Sequence, residues 1–147
     1  MRIVDTGVLV RANARSKGPA RELLTAILNG PHTLITSPFL LAETERVLYY
    51  PRLRATLRLN EEDIREHLEF IRGVSELVEP AVTEPVVLSD PDDDPVLFTA
   101  VAGRADVLCS LDRHLRHADV AEFCRGHRIT VLTDVELLHL IRPTQVV

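Results

Sequence analysis

Residues 2–7 read Arg-Ile-Val-Asp-Thr-Gly at the start of the chain, and this short stretch decides which fold we expect. The β-branched residues Ile3 and Val4 predict a buried strand that ends at Asp5. Gly7 then permits a tight turn. In open parallel sheets ligands bind beyond the carboxyl ends of the strands. A carboxylate at the end of a buried strand is therefore a candidate for such a site.

The rest of the chain alternates short apolar runs with helical patterns. Further strands are predicted at residues 34–37, 107–111 and 129–132. Helices are predicted over 19–28 and 95–102 and after three starting signals, which are Ser37-Pro38, Asn60 and the capping box Thr133-x-x-Glu136. Residues 74–88 contain Pro80 and Pro85, and they form either one strand and a connection or two short extended pieces.

Buried strands that alternate with helices predict an α/β protein with a parallel sheet covered on both faces. The length of 147 residues fits one domain, and we expect residues 1–147 to form it. The chain holds no apolar run near the roughly 20 residues that a membrane span needs. Two cysteines are too few for a disulfide scaffold, so a cytoplasmic protein is expected.

The net charge of −5 disfavours a nucleic-acid partner at first, but the charges are unevenly distributed. Residues 90–94 carry four acids, whereas Arg46, Arg52, Arg54 and Arg58 form a basic segment. Sixteen of the seventeen cationic residues are arginine, which suits bidentate contacts to phosphate. A solvated helix face is an equally good interpretation of any one of these arginines.

Acidic residues are predicted where the strands end. Asp5 closes the first predicted strand and Asp112 follows another, while Asp93 and Asp94 stand at the start of a helix. Carboxylates that crowd together repel one another unless a cation compensates, and hard divalent cations prefer oxygen ligands. Such an ion could activate water at a scissile phosphate, which suggests metal-assisted phosphodiester hydrolysis. Taken singly, each acid other than Asp5 is better explained as a helix cap or a first-turn residue.

Periodicity leaves one choice open on the helix that follows Ser37. Glu43 has Phe39, Leu40 and Val47 at helical spacings, whereas Glu45 has a different set of apolar neighbours. Either glutamate could point toward the acidic pocket, and the pattern does not choose between them.

Four stretches in order resemble the PIN-domain family of metal-dependent nucleases, and in particular the VapC toxins of toxin–antitoxin pairs. They are Ile-Val-Asp-Thr-Gly-Val-Leu-Val at residues 3–10, Ser-Pro-Phe-Leu-Leu-Ala-Glu at 37–43 with its continuation to 53, Asp-Pro-Asp-Asp-Asp-Pro-Val-Leu at 90–97, and Asp-Val-Leu-Cys-Ser-Leu-Asp-Arg-His-Leu at 106–115. The resemblance is specific as a set and spans nearly the whole chain. Gly7 stands where the family usually has asparagine.

The resemblance implies a PIN fold with a parallel sheet of four or five strands between helices. It also implies a catalytic acidic site of Asp5, Glu43, Asp93 and Asp112. Mg²⁺, or Mn²⁺ as a substitute, would bind Asp5, Asp93 and Asp112. The same resemblance assigns supporting roles to Thr6, Ser110, Asp90 and Asp94, and the run of three acids at 92–94 makes Asp94 an alternative to Asp93.

The function that the resemblance implies is a metal-dependent endoribonuclease, the toxin of a type II toxin–antitoxin pair, which hydrolyses RNA with a metal-activated water. Candidate RNA-binding residues are Arg11, Arg46, Arg52 and Arg54. A small antitoxin protein and a homodimer are further expectations from the family, with no membrane partner. The alternative is a PIN-fold RNA-binding or regulatory module with weak or lost nuclease activity.

Other classes fit less well. A phosphatase of this type usually has Asp-x-Asp at the first strand, and a receiver domain has a late lysine, whereas the single lysine here is Lys17. A dinucleotide-binding enzyme would show Gly-x-Gly-x-x-Gly after the first strand. His114 and His117 are three residues apart, but no third ligand is nearby in the sequence, which disfavours a zinc site.

Overall fold

A central parallel sheet organises the protein. The computed structural model describes residues 1–8, 12, 18–80 and 94–142, with only the backbone of residues 94 and 114. Within these residues the strands are β1 (Arg2–Thr6), β2 (Thr33–Thr36), β3 (Ser75–Leu77), β4 (Val107–Ser110) and β5 (Thr130–Leu132). All neighbours are parallel, in the order β3-β2-β1-β4-β5. The predicted α/β class and parallel sheet are confirmed.

Helices connect and flank these strands. They are α1 (Pro19–Asn29), α2 (Pro38–Leu48), α3 (Pro51–Leu57), α4 (Glu61–Val74), α5 (Asp94–Ala102), α6 (Ala118–Gly126) and α7 (Asp134–Ile141), with a 3₁₀ helix at Arg113–Arg116. In the described part of the chain, no helix is both long enough and apolar enough to cross a membrane.

Local sequence signals start several of these helices. Ser37 caps α2 by accepting a hydrogen bond from the Leu40 N–H, and proline occupies the first helical position. Asn60 and Asp63 form a reciprocal capping box at α4, and Thr133 and Glu136 form another at α7. These signals were readable in the sequence because a cap depends on residues only three positions apart.

The sheet separates two apolar cores. Ile3 and Cys109 pack on one face with Leu23 and Leu24 of α1 and Leu137 of α7. On the opposite face, Val4, Ile35 and Leu108 pack against α5 and α6 through residues that include Leu97, Ala100 and Val120. Burial on both faces explains why β1 and β4 read as continuous apolar runs.

Several elements differ from the sequence-based expectations. Helices α3 and α6 and the 3₁₀ helix were not predicted, because α3 has no buried residue and α6 buries only Val120 and Cys124. Leu111 was predicted to end β4, but it lies outside the strand and is exposed. In the uncertain stretch of residues 74–88, the structure shows β3 at Ser75–Leu77, while residues 81–88 lie outside the described residues.

Candidate functional site

The carboxyl ends of β1 and β4 lie side by side at the point where the strand order reverses. From β1 the chain continues to β2 on one side, and it later returns to β4 on the other side. In open α/β sheets such a switch point is the usual location of a ligand site, because the flanking connections leave a crevice between them. The predicted acids Asp5 and Asp112 lie at this edge.

Asp5 lies opposite Cys109 in the paired strands β1 and β4. The side chain is half-buried, and its Oδ1 atom is buried. Burial raises the pKa of the Cys109 thiol, and the charge of Asp5 and a hydrogen bond to it raise that pKa further. The thiol therefore stays protonated at neutral pH, and a protonated thiol is a poor nucleophile. The reactive groups at this position are the carboxylate oxygens of Asp5.

Thr6 and Ser110 form the next pair in the same register, at the very end of both strands. Side chains alternate along a strand, so both hydroxyls lie on the sheet face opposite to Asp5. Ser110 is buried, and its Oγ accepts a hydrogen bond of 3.0 Å from the Asp112 N–H. The Leu115 N–H in turn donates to the Asp112 carbonyl oxygen at 3.2 Å. These bonds hold the turn that carries Asp112 at the end of β4.

Glu43 and Glu45 lie on different faces of α2. Glu43 follows Leu40 by three residues, and Leu40 packs in the same core as Val96 and Leu97 of α5. Glu45 follows Leu41 by four residues and lines a cavity of about 540 Å³ with residues of α4. Glu43 is half-buried and Glu45 is exposed. The tertiary structure thus separates two glutamates that periodicity alone left equivalent.

A buried pair of hydroxyls joins the start of α2 to the middle of α5. Thr99 Oγ1 lies 2.9 Å from Ser37 Oγ and 2.7 Å from the Pro95 carbonyl oxygen. Both side chains are fully buried. The helix that carries Glu43 is therefore fastened to the helix that follows the acidic run of residues 90–94.

Several predicted site residues cannot be placed in this geometry. Asp90, Asp93 and Arg11 lie outside the described residues. Asp94 is the first residue of α5, and its side chain is outside them as well. The choice between Asp93 and Asp94 therefore stays a prediction.

The predicted RNA-binding arginines have distinct surroundings. Arg46 makes a two-pronged ion pair with Glu43, at 2.7 Å from Nη2 to Oε2 and 3.2 Å from Nε to Oε1. Arg52 is exposed on α3. The Arg54 guanidinium lies 5.4 Å from the centre of the Tyr49 ring, and its Nε donates to the Leu59 carbonyl oxygen.

Two further acids lie near this edge. The charges of Asp134 and Glu136, in the first turn of α7, add to the raised pKa of the Cys109 thiol. A backbone hydrogen bond from Thr133 and a side-chain bond from Arg116 lower the pKa of Glu136. The capping box was the only role predicted for this region from the sequence. The position of Asp134 could have indicated an acid at this edge of the sheet, because Asp134 follows a predicted strand just as Asp112 does.

The carboxylates of Asp5 and Asp112, at the carboxyl ends of β1 and β4, suit a hard cation because such ions prefer oxygen ligands. Among the described residues, no three acids, histidines or cysteines are grouped closely enough to hold a metal ion. Asp5 and Asp112 would therefore require a further ligand, and the run at residues 90–94 is the predicted source.

Comparison with known protein families agrees with this geometry. A family model described as a PIN domain matches residues 2–114, which contain β1 to β4 and all four predicted acids. No curated protein and no solved structure matches the chain.

Proposed function

Because the chain belongs to the PIN-domain family, whose members are generally nucleases that use divalent metal ions, we propose that it is a metal-dependent endoribonuclease. The observation that carries this proposal is the position of Asp5. It lies one residue before the end of the central strand, at the switch point of the sheet, beside a Cys109 thiol that stays protonated. We propose Mg²⁺ as the ion, with Mn²⁺ as a substitute, because the available donors are oxygens.

Asp5, Asp93 and Asp112 would hold the ion, with Asp94 as the alternative to Asp93. When bound, it would neutralise charge on the scissile phosphate and lower the pKa of a water molecule. Ser110 would support this site through its hydrogen bond to the Asp112 N–H, and Thr6 is its neighbour in β1. Glu43 would supply a fourth carboxylate from α2.

The reaction we propose is hydrolysis without a covalent enzyme intermediate. The oxygen of a water molecule forms a bond to phosphorus, and the bond from phosphorus to the leaving ribose oxygen breaks. The proton lost by water reaches the leaving oxygen, and a carboxylate such as that of Glu43 can carry it. The raised pKa of Cys109 supports water as the nucleophile, because a protonated thiol attacks poorly.

The cellular role that we propose is the toxin of a type II toxin–antitoxin pair acting on RNA in the cytoplasm. Its support is the likeness of the four sequence blocks to VapC toxins. A small antitoxin that covers the acidic groove, and a homodimer, belong to the same proposal. Co-expression with the product of an adjacent small gene would test it, since a cognate antitoxin should co-purify and suppress RNA cleavage.

Cleavage of a panel of structured and single-stranded RNAs tests the nuclease proposal. Wild type, Asp5→Asn, Asp93→Asn and Asp112→Asn are assayed with Mg²⁺, with Mn²⁺ and with EDTA. We expect cleavage that EDTA abolishes and that each substitution lowers at least about 100-fold, as for the loss of a charge-stabilising group. Loss in Asp5→Asn and Asp112→Asn but not in Asp93→Asn would move the third ligand to Asp94.

Asp106→Asn is the matched control, because Asp106 precedes β4 at the opposite edge of the sheet. Its Oδ2 accepts a hydrogen bond from the Arg2 N–H, which an asparagine oxygen can still accept. Cleavage should be unchanged in this variant. Equal cleavage by wild type and Asp5→Asn would disprove the proposed site.

A second candidate function is an RNA-binding or regulatory module with weak or lost nuclease activity. The observation that favours it is Gly7, which has a φ of 86° directly after Asp5 and Thr6, where the family usually has asparagine. A Cβ atom built there would meet nothing within 4 Å, and asparagine tolerates positive φ better than most residues. Gly7→Asn should therefore fold, and a clear gain of cleavage over wild type would favour this candidate.

A further inference from the structure

A small cavity lies at the amino-terminal edge of the sheet, on the side away from Asp5. It has a volume of about 240 Å³ and lies where α5 leads into β4 and α6 leads into β5. Arg104 and Arg128 both line it, and we call it the arginine cavity. Because β4 and β5 are parallel neighbours, with Val107 opposite Thr130, the two turns that carry these arginines lie side by side. Two arginine side chains therefore share one cavity.

Both arginines have a backbone conformation that residues other than glycine rarely adopt. The φ angle is 53° at Arg104 and 57° at Arg128. In each turn the residue after the arginine donates its N–H to the carbonyl oxygen five positions before it, at 2.8 Å, which is the Schellman arrangement at a helix end. Glycine is the usual residue at this position, since a Cβ atom makes the left-handed conformation costly. Strain of this kind is concentrated at functional positions, and here it places two arginines at the same cavity.

The two guanidinium groups are available to a ligand. Both side chains are exposed, and within the described residues neither group donates a hydrogen bond or forms an ion pair. The neighbouring Arg2, by contrast, donates to the Gly103 carbonyl oxygen and forms an ion pair with Glu76. A cation near a helix C-terminus also interacts favourably with the helix dipole. The dipole does not explain Arg128, because Arg125 already lies in the last turn of α6.

The other polar residues of the cavity narrow the chemistry of the ligand. Asp106 is held in place, because its Oδ2 atom accepts a hydrogen bond of 2.8 Å from the Arg2 N–H. His127 adds a further polar group, and its ring packs against Phe123 with 4.6 Å between the ring centres. Two guanidinium groups outweigh the single carboxylate, so the cavity is cationic in a chain whose net charge is −5. A carboxylate beside two cations suits an anion that also carries hydroxyl donors.

We propose that the arginine cavity binds a small phosphate monoester with free hydroxyl groups, which is the chemistry of a sugar phosphate. Arg104 and Arg128 bind the phosphate, since planar guanidinium groups donate paired hydrogen bonds to its oxygens. A hydroxyl group of the ligand donates to the Asp106 carboxylate. The volume of about 240 Å³ lies below the range of pockets for drug-sized molecules, which favours a ligand of this size.

The arginine cavity is separate from the proposed nuclease centre. It lies before the first residue of β4, whereas Asp112 lies after the last, and the four residues of the strand span about 13 Å. None of the predicted site residues lines it. The inference therefore goes beyond the proposed function and does not depend on it.

Binding of ribose 5-phosphate tests the proposal, with EDTA present so that no metal ion links the phosphate to the acidic residues. Binding is followed by the shifts of backbone amide signals in two-dimensional proton–nitrogen NMR spectra. We expect saturable shifts at residues 103–106 and 126–129, and much weaker binding of ribose, which lacks the phosphate. Arg104→Gly and Arg128→Gly should each weaken binding at least about 10-fold through the loss of charge-assisted hydrogen bonds. Glycine suits a positive φ, so both variants should fold.

Arg58→Gly is the matched control. Arg58 has the same φ of 53° and the same kind of turn, at the end of α3, but it does not line the arginine cavity. Its substitution should leave the binding of ribose 5-phosphate within about twofold of wild type. Circular dichroism of all three glycine variants checks that a loss of binding is not a loss of fold.

Asp106→Asn tests the hydroxyl contact. Wild type should bind ribose 5-phosphate more tightly than inorganic phosphate, and this preference should shrink in the variant, because a neutral amide accepts a weaker hydrogen bond than a carboxylate. The amide oxygen can still accept the hydrogen bond from the Arg2 N–H, so the turn keeps this contact. A preference that the substitution leaves unchanged would contradict the role of Asp106.

The outcomes are distinct from those of the nuclease test. Undetectable binding of ribose 5-phosphate, equal losses in Arg58→Gly and Arg104→Gly, or tighter binding of an oligouridylate without terminal phosphates would each overturn the proposed sugar-phosphate site. Asp5→Asn should bind ribose 5-phosphate as wild type does. Arginine-dependent binding without cleavage of any RNA would support the arginine cavity and contradict the nuclease, whereas cleavage without this binding would contradict the cavity alone.

Discussion

At the level of single residues, the central pair of Asp5 and Cys109 shows how burial selects the chemistry of a site. The two side chains face each other across β1 and β4, and burial together with the neighbouring carboxylate raises the pKa of the thiol. A cysteine in an enzyme pocket is often a candidate nucleophile, but only as a thiolate. Here the environment keeps the proton on sulfur, so that the thiol is a poor nucleophile.

The two glutamates of α2 give the sharpest test at this scale. We expect Glu43→Gln to lower metal-dependent RNA cleavage at least about 10-fold, because Glu43 is one helical turn from Leu40, which packs in the same core as α5. Glu45→Gln should change the rate less than about twofold, since Glu45 lines the cavity toward α4. Initial rates at saturating Mg²⁺ provide the measurement. A larger effect of Glu45→Gln would contradict this prediction, because it would show that the face of α2 with Glu45 lies at the site.

At the level of elements, α2 connects the sheet to the proposed site through its first turn. Ser37 caps the helix, and its buried hydroxyl also contacts Thr99 of α5. A cap normally stabilises only its own helix. The contact to Thr99 adds a second role, because it fixes the position of α2 relative to α5 and thereby the position of Glu43.

Removal of this cap should affect both stability and cleavage. We expect Ser37→Ala to lower the free energy of unfolding by about 1–2 kcal/mol, the usual cost of a lost cap. Cleavage should fall as well, because the start of α2 can then shift. Asn60→Ala removes the cap of α4 and should cost similar stability while it preserves cleavage. Urea unfolding and initial rates would show this, and equal cleavage by the two variants would contradict the positioning role.

Two glycines lie at the ends of α5 and α6, and we expect their substitution by alanine to have opposite effects on stability. A Cβ atom at Gly103 would lie 2.6 Å from Ile35 Cγ2, a methyl group that is buried in the core. Gly103→Ala should therefore destabilise the protein by about 1–3 kcal/mol through overpacking.

Gly126 provides the matched comparison, because it is the last residue of α6 and a Cβ atom there would meet nothing within 4 Å. Gly126→Ala should stabilise the protein by about 0.4–1 kcal/mol, since alanine restricts the unfolded chain more than glycine does. Urea unfolding followed by circular dichroism measures both changes. A neutral Gly103→Ala would show that β2 and the end of α5 do not pack as closely as the structure has them.

For the whole molecule, the sheet buries both cysteines, one on each face. Burial raises the pKa of the Cys124 thiol to about 11, from an ordinary value of 9.0. Above pH 9 the unfolded chain loses the Cys124 proton while the folded protein keeps it. The stability that this thiol contributes is therefore complete below about pH 9, and it is lost as the pH rises toward 11.

This linkage predicts a difference in alkaline sensitivity. Between pH 7 and pH 10, the urea midpoint of wild type should fall more than that of Cys124→Ala, which has no thiol at this position. The comparison concerns the change with pH, because the alanine variant is also destabilised at every pH by the smaller side chain. Parallel curves for the two proteins would contradict the raised pKa of Cys124.

Much of the fold was readable from the sequence, because its signals are local. The apolar runs of β1 and β4 and the caps at Ser37, Asn60 and Thr133 depend on residues a few positions apart, and the expected elements lie within two residues of the observed ones. Helix α3 was missed because it buries no residue and so has no apolar stripe. The PIN family was recognised from four blocks in order, and the match to residues 2–114 confirms it.

The sequence by itself determined the α/β class, the helix starts and the family, since each follows from short-range patterns and from the identity of quoted residues. Only the tertiary structure decided which residues become neighbours. The register of β1 against β4 brought Asp5 to Cys109, and the packing of Leu40 separated Glu43 from Glu45. Register and packing depend on contacts between residues up to about a hundred positions apart, and no local pattern in one sequence specifies them.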